Sequence, residues 1–299
     1  MRTLLSGWLL SLLLAFSPAM NCRTDSTETA GQSGKKRIVF IAGGCSHPHG
    51  EHEHKAGCLL LAKRLNEALP SVEAEVYSDG WPKESAFRNA AAIVVYGDGG
   101  EGNVTNRHLD QIDALMKKGV GLTCIHFAVE VPKGRPGDHY LNWIGGYFEP
   151  FWSVNPVWTA EFTSLPQHPV TRGVKPFTSK DEWYYHMRFR EGMEGVTPIL
   201  TTVPPASTLN RPEGSHSSNP HVRAEIGKPQ HLAWCRERPD GGRGFGITGG
   251  HYHRVWADDN YRKLVLNAIA WTAGVDLPAG GVDSPTPTPA EMEANQCIK

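Results

Sequence analysis

Four histidines and two glutamates crowd into eight positions of this chain: His47, His49, Glu51, His52, Glu53 and His54. Imidazoles titrate near neutral pH and bind divalent metals, so such density points to proton transfer or metal chemistry. The plainer alternative is a solvated polar loop without chemistry. Two further groups, His126 and the pair His251 and His253, stand just after apolar runs, as the first cluster does. Glu182 lies in a polar-aromatic stretch, Asp181-Glu182-Trp183-Tyr184-Tyr185. If the three histidine-bearing segments meet, His47, His52, His126 and His251 are the candidate metal ligands. His126, Glu182 and His253 are the candidate catalytic groups, with Glu182 or one imidazole as proton shuttle. Three protein ligands and an open position activate water or polarise a carbonyl. Zinc is the default divalent ion for a histidine-rich site, with manganese and iron as alternatives.

A competing arrangement uses Cys124 as nucleophile and His251 as its base. Against it, Ile125 and His126 stand where a strained elbow prefers small residues, and a buried, unactivated thiol is inert. His108, His139, His168, His216 and His221 read as surface or turn histidines.

The elements that must position these groups are legible as apolar runs. Residues 38–42 form a buried strand, and Ala56, Leu59, Leu60, Ala62, Leu65 and Leu69 mark a helix after the histidine cluster. Strands follow at 73–77, at 91–96 with a glycine-rich loop at 97–102, and at 120–126. Leu109, Ile112, Leu115 and Met116 mark a helix closed by Gly119. Further strands fall at 196–203, 231–235 and 245–248, and a last helix at 258–272. Uniformly apolar strands alternating with helices predict an α/β, doubly wound, mostly parallel sheet. Such a sheet gathers the loops after its first, third and fourth strands at one edge, where ligands bind. Residues 133–158, rich in aromatics, read as a covering loop or pocket wall or, equally, as an aromatic cluster pinning a long loop, and 204–230 as an insertion.

The 299 residues carry a formal net charge of −1, which leaves no electrostatic footprint for nucleic acid. Residues 1–19 read as a signal peptide, 20–35 as a flexible linker, 36–275 as the α/β domain and 276–299 as a Pro-rich tail. Export to the periplasm or beyond is expected, with lipidation at Cys22 or a retained N-terminal anchor as the second reading. No membrane span is expected in the mature chain. The six cysteines form no CxxC pair. Cys45, Cys58 and Cys124 read as small buried hydrophobes, and a Cys22–Cys297 tether stays open.

Ser46-His47-Pro48-His49-Gly50-Glu51-His52-Glu53, Cys124-Ile125-His126-Phe127-Ala128, Asp181-Glu182-Trp183-Tyr184 and Gly250-His251-Tyr252-His253 together resemble the ThuA-like (trehalose utilisation) family. The resemblance spans about residues 36–283. It implies a three-layer, flavodoxin-like, class I glutamine amidotransferase-like fold. The amidotransferase nucleophile and base would correspond to Cys124 and His251. His253 replaces the glutamate expected two residues after the base, and His126 replaces a small residue, so glutaminase activity is not expected. The resemblance further implies a sugar as small-molecule substrate, oxidised (keto) disaccharides among them. The expectation is therefore a metal-assisted hydrolase or isomerase/lyase acting on carbohydrate. The alternative is a non-catalytic sugar-binding module using the aromatics of residues 143–158.

Overall fold

Residues 34–78 and 80–297 are described by the structure, a computed structural model. The expected signal peptide, most of the linker and Cys22 lie outside the described residues. In chain order the elements are β1 (Lys36–Ala42), α1 (His54–Ala68), β2 (Val72–Tyr77), β3 (Ala90–Tyr96), α2 (Leu109–Met116), β4 (Gly121–Ile125), α3 (Arg135–Trp143), β5 (Gly146–Tyr147), β6 (Val157–Phe162), β7 (Phe177–Glu182), β8 (Arg188–Phe189), β9 (Val196–Thr202), α4 (Pro220–Arg223), β10 (Gln230–Glu237), β11 (Arg243–Ile247), α5 (Asp259–Thr272) and α6 (Pro289–Glu293).

A seven-stranded sheet runs in the order β2-β1-β3-β4-β11-β10-β9. The strands from β2 to β11 are parallel, and β10 and β9 continue antiparallel. Along β1, Ile38 and Phe40 face one apolar layer and Val39 and Ile41 the other. Buried residues of α1 and α5 fill the first layer, and those of α2 and α3 the second. The fold is therefore the three-layer α/β sandwich expected from the sequence.

Register decides where the functional loops begin. Ala42 pairs with Tyr96, Tyr96 with Ile125, and Ile125 with Ile247. The last residues of β1, β3, β4 and β11 thus form one row across the sheet, and all four following loops start at one level.

Outside the sheet the chain departs from its sequence reading. Residues 135–143 are a helix rather than a covering loop, with a proline at its first turn, where the missing N–H costs nothing. Most of the aromatic stretch is core: Trp143, Tyr147, Phe148 and Trp158 are buried, while Phe151 is 65% exposed. β6 and β7 form a separate antiparallel hairpin that ends at Glu182.

The Pro-rich residues after 275 lie against the domain as a strap. Val282 is buried and donates its N–H to Asn267 Oδ1. The fully buried Arg262 donates to the Ser284 hydroxyl and carbonyl oxygens. Glu291 of α6 pairs with Lys63 at 2.7 Å and Arg64 at 3.0 Å on α1. Cys297 forms a disulfide with Cys45, 252 residues earlier. Cys45 is therefore a cross-link and not a buried hydrophobe, and it, not Cys22, is the partner of Cys297. Cys58, Cys124 and Cys235 are buried free thiols.

Candidate metal centre

The loops after β1 and β11 are stitched together. His52 N–H donates to His251 O at 2.9 Å, His253 N–H donates to Gly50 O at 2.8 Å, and Glu51 bridges to Tyr252. Beneath them the buried Asp181 carboxylate accepts the N–H groups of Gly250 and Tyr252. That stitching carries His251 to His52. His126 arrives from the end of β4, in a left-handed conformation at φ 55°, and His52 holds φ 48°. Residues with a Cβ seldom adopt this region, and where they do the surroundings enforce it, often at functional sites.

Three imidazoles converge in this way. His52 Nε2 lies 3.1 Å from His126 Nε2 and 3.0 Å from His251 Nδ1. Glu182 Oε2 stands 3.4 Å from His251 Nδ1 and 3.6 Å from His126 Nε2. His52, His126, Glu182 and His251 each offer a ligand atom, and these lie within 4.8 Å of one another.

The outer nitrogen of each ring faces an acceptor. His126 Nδ1 donates to the Thr248 carbonyl at 2.7 Å. His52 Nδ1 faces Asp98 Oδ1 at 3.3 Å, and His251 Nε2 faces Glu51 Oε2 at 3.4 Å. A carbonyl accepts only, and so does an ionised carboxylate, so these partners hold the protons outside. On a neutral ring that arrangement turns a lone pair inward, where His126 Nε2 also meets the Tyr184 hydroxyl and His251 Nδ1 the Glu182 carboxylate. Outer acceptors of this kind are what orient imidazoles around a metal ion. Separations near 3 Å suit neighbouring donors sharing one ion at bonds of about 2.0–2.2 Å. The donor set of three imidazoles and a carboxylate therefore fits a divalent ion.

At His126 the electrostatics agree with that placement. Burial, reinforced by His52 and His251, pushes His126 well below the usual imidazole range, so it stays neutral and able to ligate. Burial also pulls His251 down, but the Glu182 hydrogen bond and the charges of Glu182, Asp181 and Glu51 outweigh it and raise its pKa. Burial pushes the Asp98 carboxyl up, yet hydrogen bonds from His52 and Ser46 and the charges of His54 and His52 hold it below its usual range. The Tyr184 hydroxyl, kept protonated by burial, stands 3.1 Å from His126 Nε2.

Not every sequence candidate reaches this centre. His47 lies against His52, its ring tilted by 31° at 3.6 Å between centroids, and belongs with His52 and Asp98 in a second, more exposed group. Glu182 takes the fourth place in the cluster instead. His253 is not brought in: its ring is buried, and it belongs to neither group of candidate ligands among the described residues. Cys124 is fully buried inside β4, and burial pushes its thiol up to about 12. The strained turn that a nucleophile elbow requires belongs to His126, so the Cys124–His251 arrangement lacks its geometry.

Several groups escaped the sequence reading. Asp98 ends the run after β3, and the strand-end rule that found His126 applied equally there. His216, read as a turn histidine, lines a cleft of ≈ 220 Å³ beside the centre with His47, His52, Phe127, Asn155, Glu182 and Tyr184. Nothing in its local pattern marks it. Larger hollows of ≈ 520 and ≈ 910 Å³ flank Trp81, but no metal-binding group of described residues lies in either.

The family model described as ThuA, trehalose utilisation, matches residues 44–272. No curated protein matches the sequence. Among solved structures, a putative ThuA-like protein from Bacteroides uniformis superposes with a TM-score of 0.58 at 13% identity, covering 81% of this chain and 92% of that one. A second from Parabacteroides merdae gives 0.48 at 17% identity, over 85% and 93% of the two chains. A glutamine amidotransferase from Thermotoga maritima gives 0.46 at 8% identity, over 80% and 98%.

Proposed function

This chain belongs to the ThuA family, and from that premise we propose that it is an exported, metal-dependent protein acting on an unphosphorylated sugar. The observation that carries the reading is the set of three inward-facing imidazole nitrogens, each with its outer nitrogen held by an acceptor. His52, His126, His251 and Glu182 would hold the ion, zinc in the first instance. Bound there, a divalent ion supplies Lewis-acid activation of a carbonyl or hydroxyl. The chain's own residues orient the substrate and move protons: Tyr184 holds a proton beside His126, and Glu182 borders both the centre and the cleft.

The cleft supports a sugar by size and lining. At ≈ 220 Å³ it accommodates roughly one hexose ring, and its lining offers imidazole, amide, carboxylate and phenol groups with Phe127 as an apolar face. Among the described residues no lysine or arginine lines it, which favours an unphosphorylated sugar. A hydrolase or an isomerase/lyase of keto-disaccharides is consistent with these groups. Export is supported by the Cys45–Cys297 disulfide, since such bonds persist in oxidising compartments.

The test uses untagged protein loaded with zinc and incubated with trehalose, other disaccharides and their keto forms, with products followed by chromatography. Turnover that disappears on chelation and returns with the metal is the expected result. Sugar binding in calorimetry without turnover would favour the binding module instead.

A further inference from the structure

A second pair of titratable groups, His216 in the lining of the cleft and Glu130 buried behind it, has no part in the metal reading. Glu130 follows the His126 turn by four residues and is 3% exposed. Its two oxygens lie 2.9 and 3.1 Å from His216 Nε2, so both take part in one charge-assisted contact. His216 comes from the insertion before α4 and stacks on Phe148 at 5.2 Å and 22°. The insertion is fastened at this point: Phe151 N–H donates to Ser215 O, Asn155 N–H donates to His216 O, and Arg211 donates to His216 O. The surrounding loop is shaped for the carboxylate as well. A Cβ on Gly100 would lie 3.2 Å from Glu130 Oε1, and Asn103 Nδ2 donates to the Glu130 carbonyl.

A buried carboxylate that fixes one imidazole nitrogen leaves the other for proton exchange, as in base–orienter pairs generally. Here the other nitrogen is Nδ1, which among the described residues meets only the Ser215 hydroxyl, at 2.7 Å. A rotating hydroxyl gives way to a substrate oxygen or water. We propose that Glu130 and His216 are the proton-transfer pair of the cleft, His216 giving its Nδ1 proton to an oxygen of the bound sugar while Glu130 positions the ring. In that step the Nδ1–H bond breaks, an O–H bond forms on the substrate, and His216 becomes neutral with Nε2–H still donating to Glu130. Water in the cleft returns the proton. The reverse direction makes His216 a base for a sugar hydroxyl.

The charges around the ring favour this use. Glu130, by hydrogen bond and charge, raises the His216 pKa above its ordinary value; burial opposes it, Glu182 adds to it and Arg211 subtracts. The pair is thus charged closer to neutral pH than a free imidazole would be, and it can act as an acid there.

This inference rests on the sugar-acting, metal-dependent reading, and two measurements keep the two separable. The first, independent of metal, follows the His216 Cε1–H resonance against pH in the full chain and in Glu130→Gln. A titration above the ordinary imidazole value that drops by about one unit in the variant supports the pair; equal titrations overturn it. The second measures zinc content and acetohydroxamate affinity in the zinc-loaded protein, His216→Gln and Ser215→Ala. The pair predicts unchanged zinc, at least a tenfold weaker hydroxamate in His216→Gln, and wild-type affinity in Ser215→Ala. Equal affinities in all three overturn it. A wild-type protein that takes up no zinc overturns the metal reading alone, and the resonance titration still decides the pair.

Discussion

His52 and His126 hold left-handed backbone conformations that cost on the order of 1–3 kcal/mol each, a cost that an ion bound where they converge would offset. Asparagine tolerates that conformation without offering the same ligand atom. His52→Asn and His126→Asn are therefore expected to remain folded and to lose stoichiometric metal, read by elemental analysis of untagged protein. Asp98 acts one step back by holding the outer nitrogen of His52. Asp98→Asn should keep the ion but weaken it about 10- to 100-fold in chelator competition. His54, the first residue of α1, behaves differently. Burial drives its pKa down to about 4, with only the Gly44 carbonyl hydrogen bond and the Asp98 charge opposing. Its folded pKa lies below the unfolded value, so the unfolded chain protonates first and stability falls as pH drops from about 6.5 toward 4. His54→Asn should be more resistant to acid, recovering about 2 kcal/mol relative to wild type at pH 5 compared with pH 7, as measured by urea melts.

At the scale of elements, the site is made by strands that end in one row and loops that pack without side chains between them. A Cβ on Gly99 would lie 2.1 Å from the Phe127 carbonyl, so the loop after β3 touches the His126 turn directly. Gly99→Ala should separate Asp98 from His52, lowering both melting temperature and metal affinity although residue 99 is no ligand. β1, β3 and β4 were legible because each carries an apolar run that stops at a polar or glycine residue, and β11 from the short Phe245-Gly246-Ile247 stretch between glycine-rich turns. α3 was not, since Arg135-Pro136-Gly137 has turn composition and only the helical first turn makes its proline acceptable. The order of the ligands was half legible. His52, His126 and His251 follow from strand ends, but choosing between His47 and Glu182 depends on the β6–β7 hairpin, whose placement no local pattern encodes. His216 and Glu130 meet across 86 residues, and only the folded chain brings them together.

Across the whole molecule, the C-terminal end of the described residues is tied at the site. The Cys45–Cys297 bond and the Cys297 N–H to Glu53 contact at 2.6 Å fasten the strap to the loop that presents His47 and His52, and the Glu291 pairs fasten it to α1. A cross-link closing so long a loop contributes typically about 2–4 kcal/mol, mostly by restricting the unfolded chain. Reduction, or Cys297→Ser, should lower the melting temperature by several degrees in calorimetry and speed metal release to a chelator. An unchanged release rate would confine the bond to a stabilising role.

The central claim is that His52, His126, Glu182 and His251 share one divalent ion. Anomalous X-ray scattering from crystals of untagged protein grown with zinc measures it most directly. The account predicts one peak per chain, bonded to His52 Nε2, His126 Nε2, His251 Nδ1 and a Glu182 oxygen, and absent in His126→Asn. No peak at that point, or an ion held elsewhere and indifferent to His126, would contradict it.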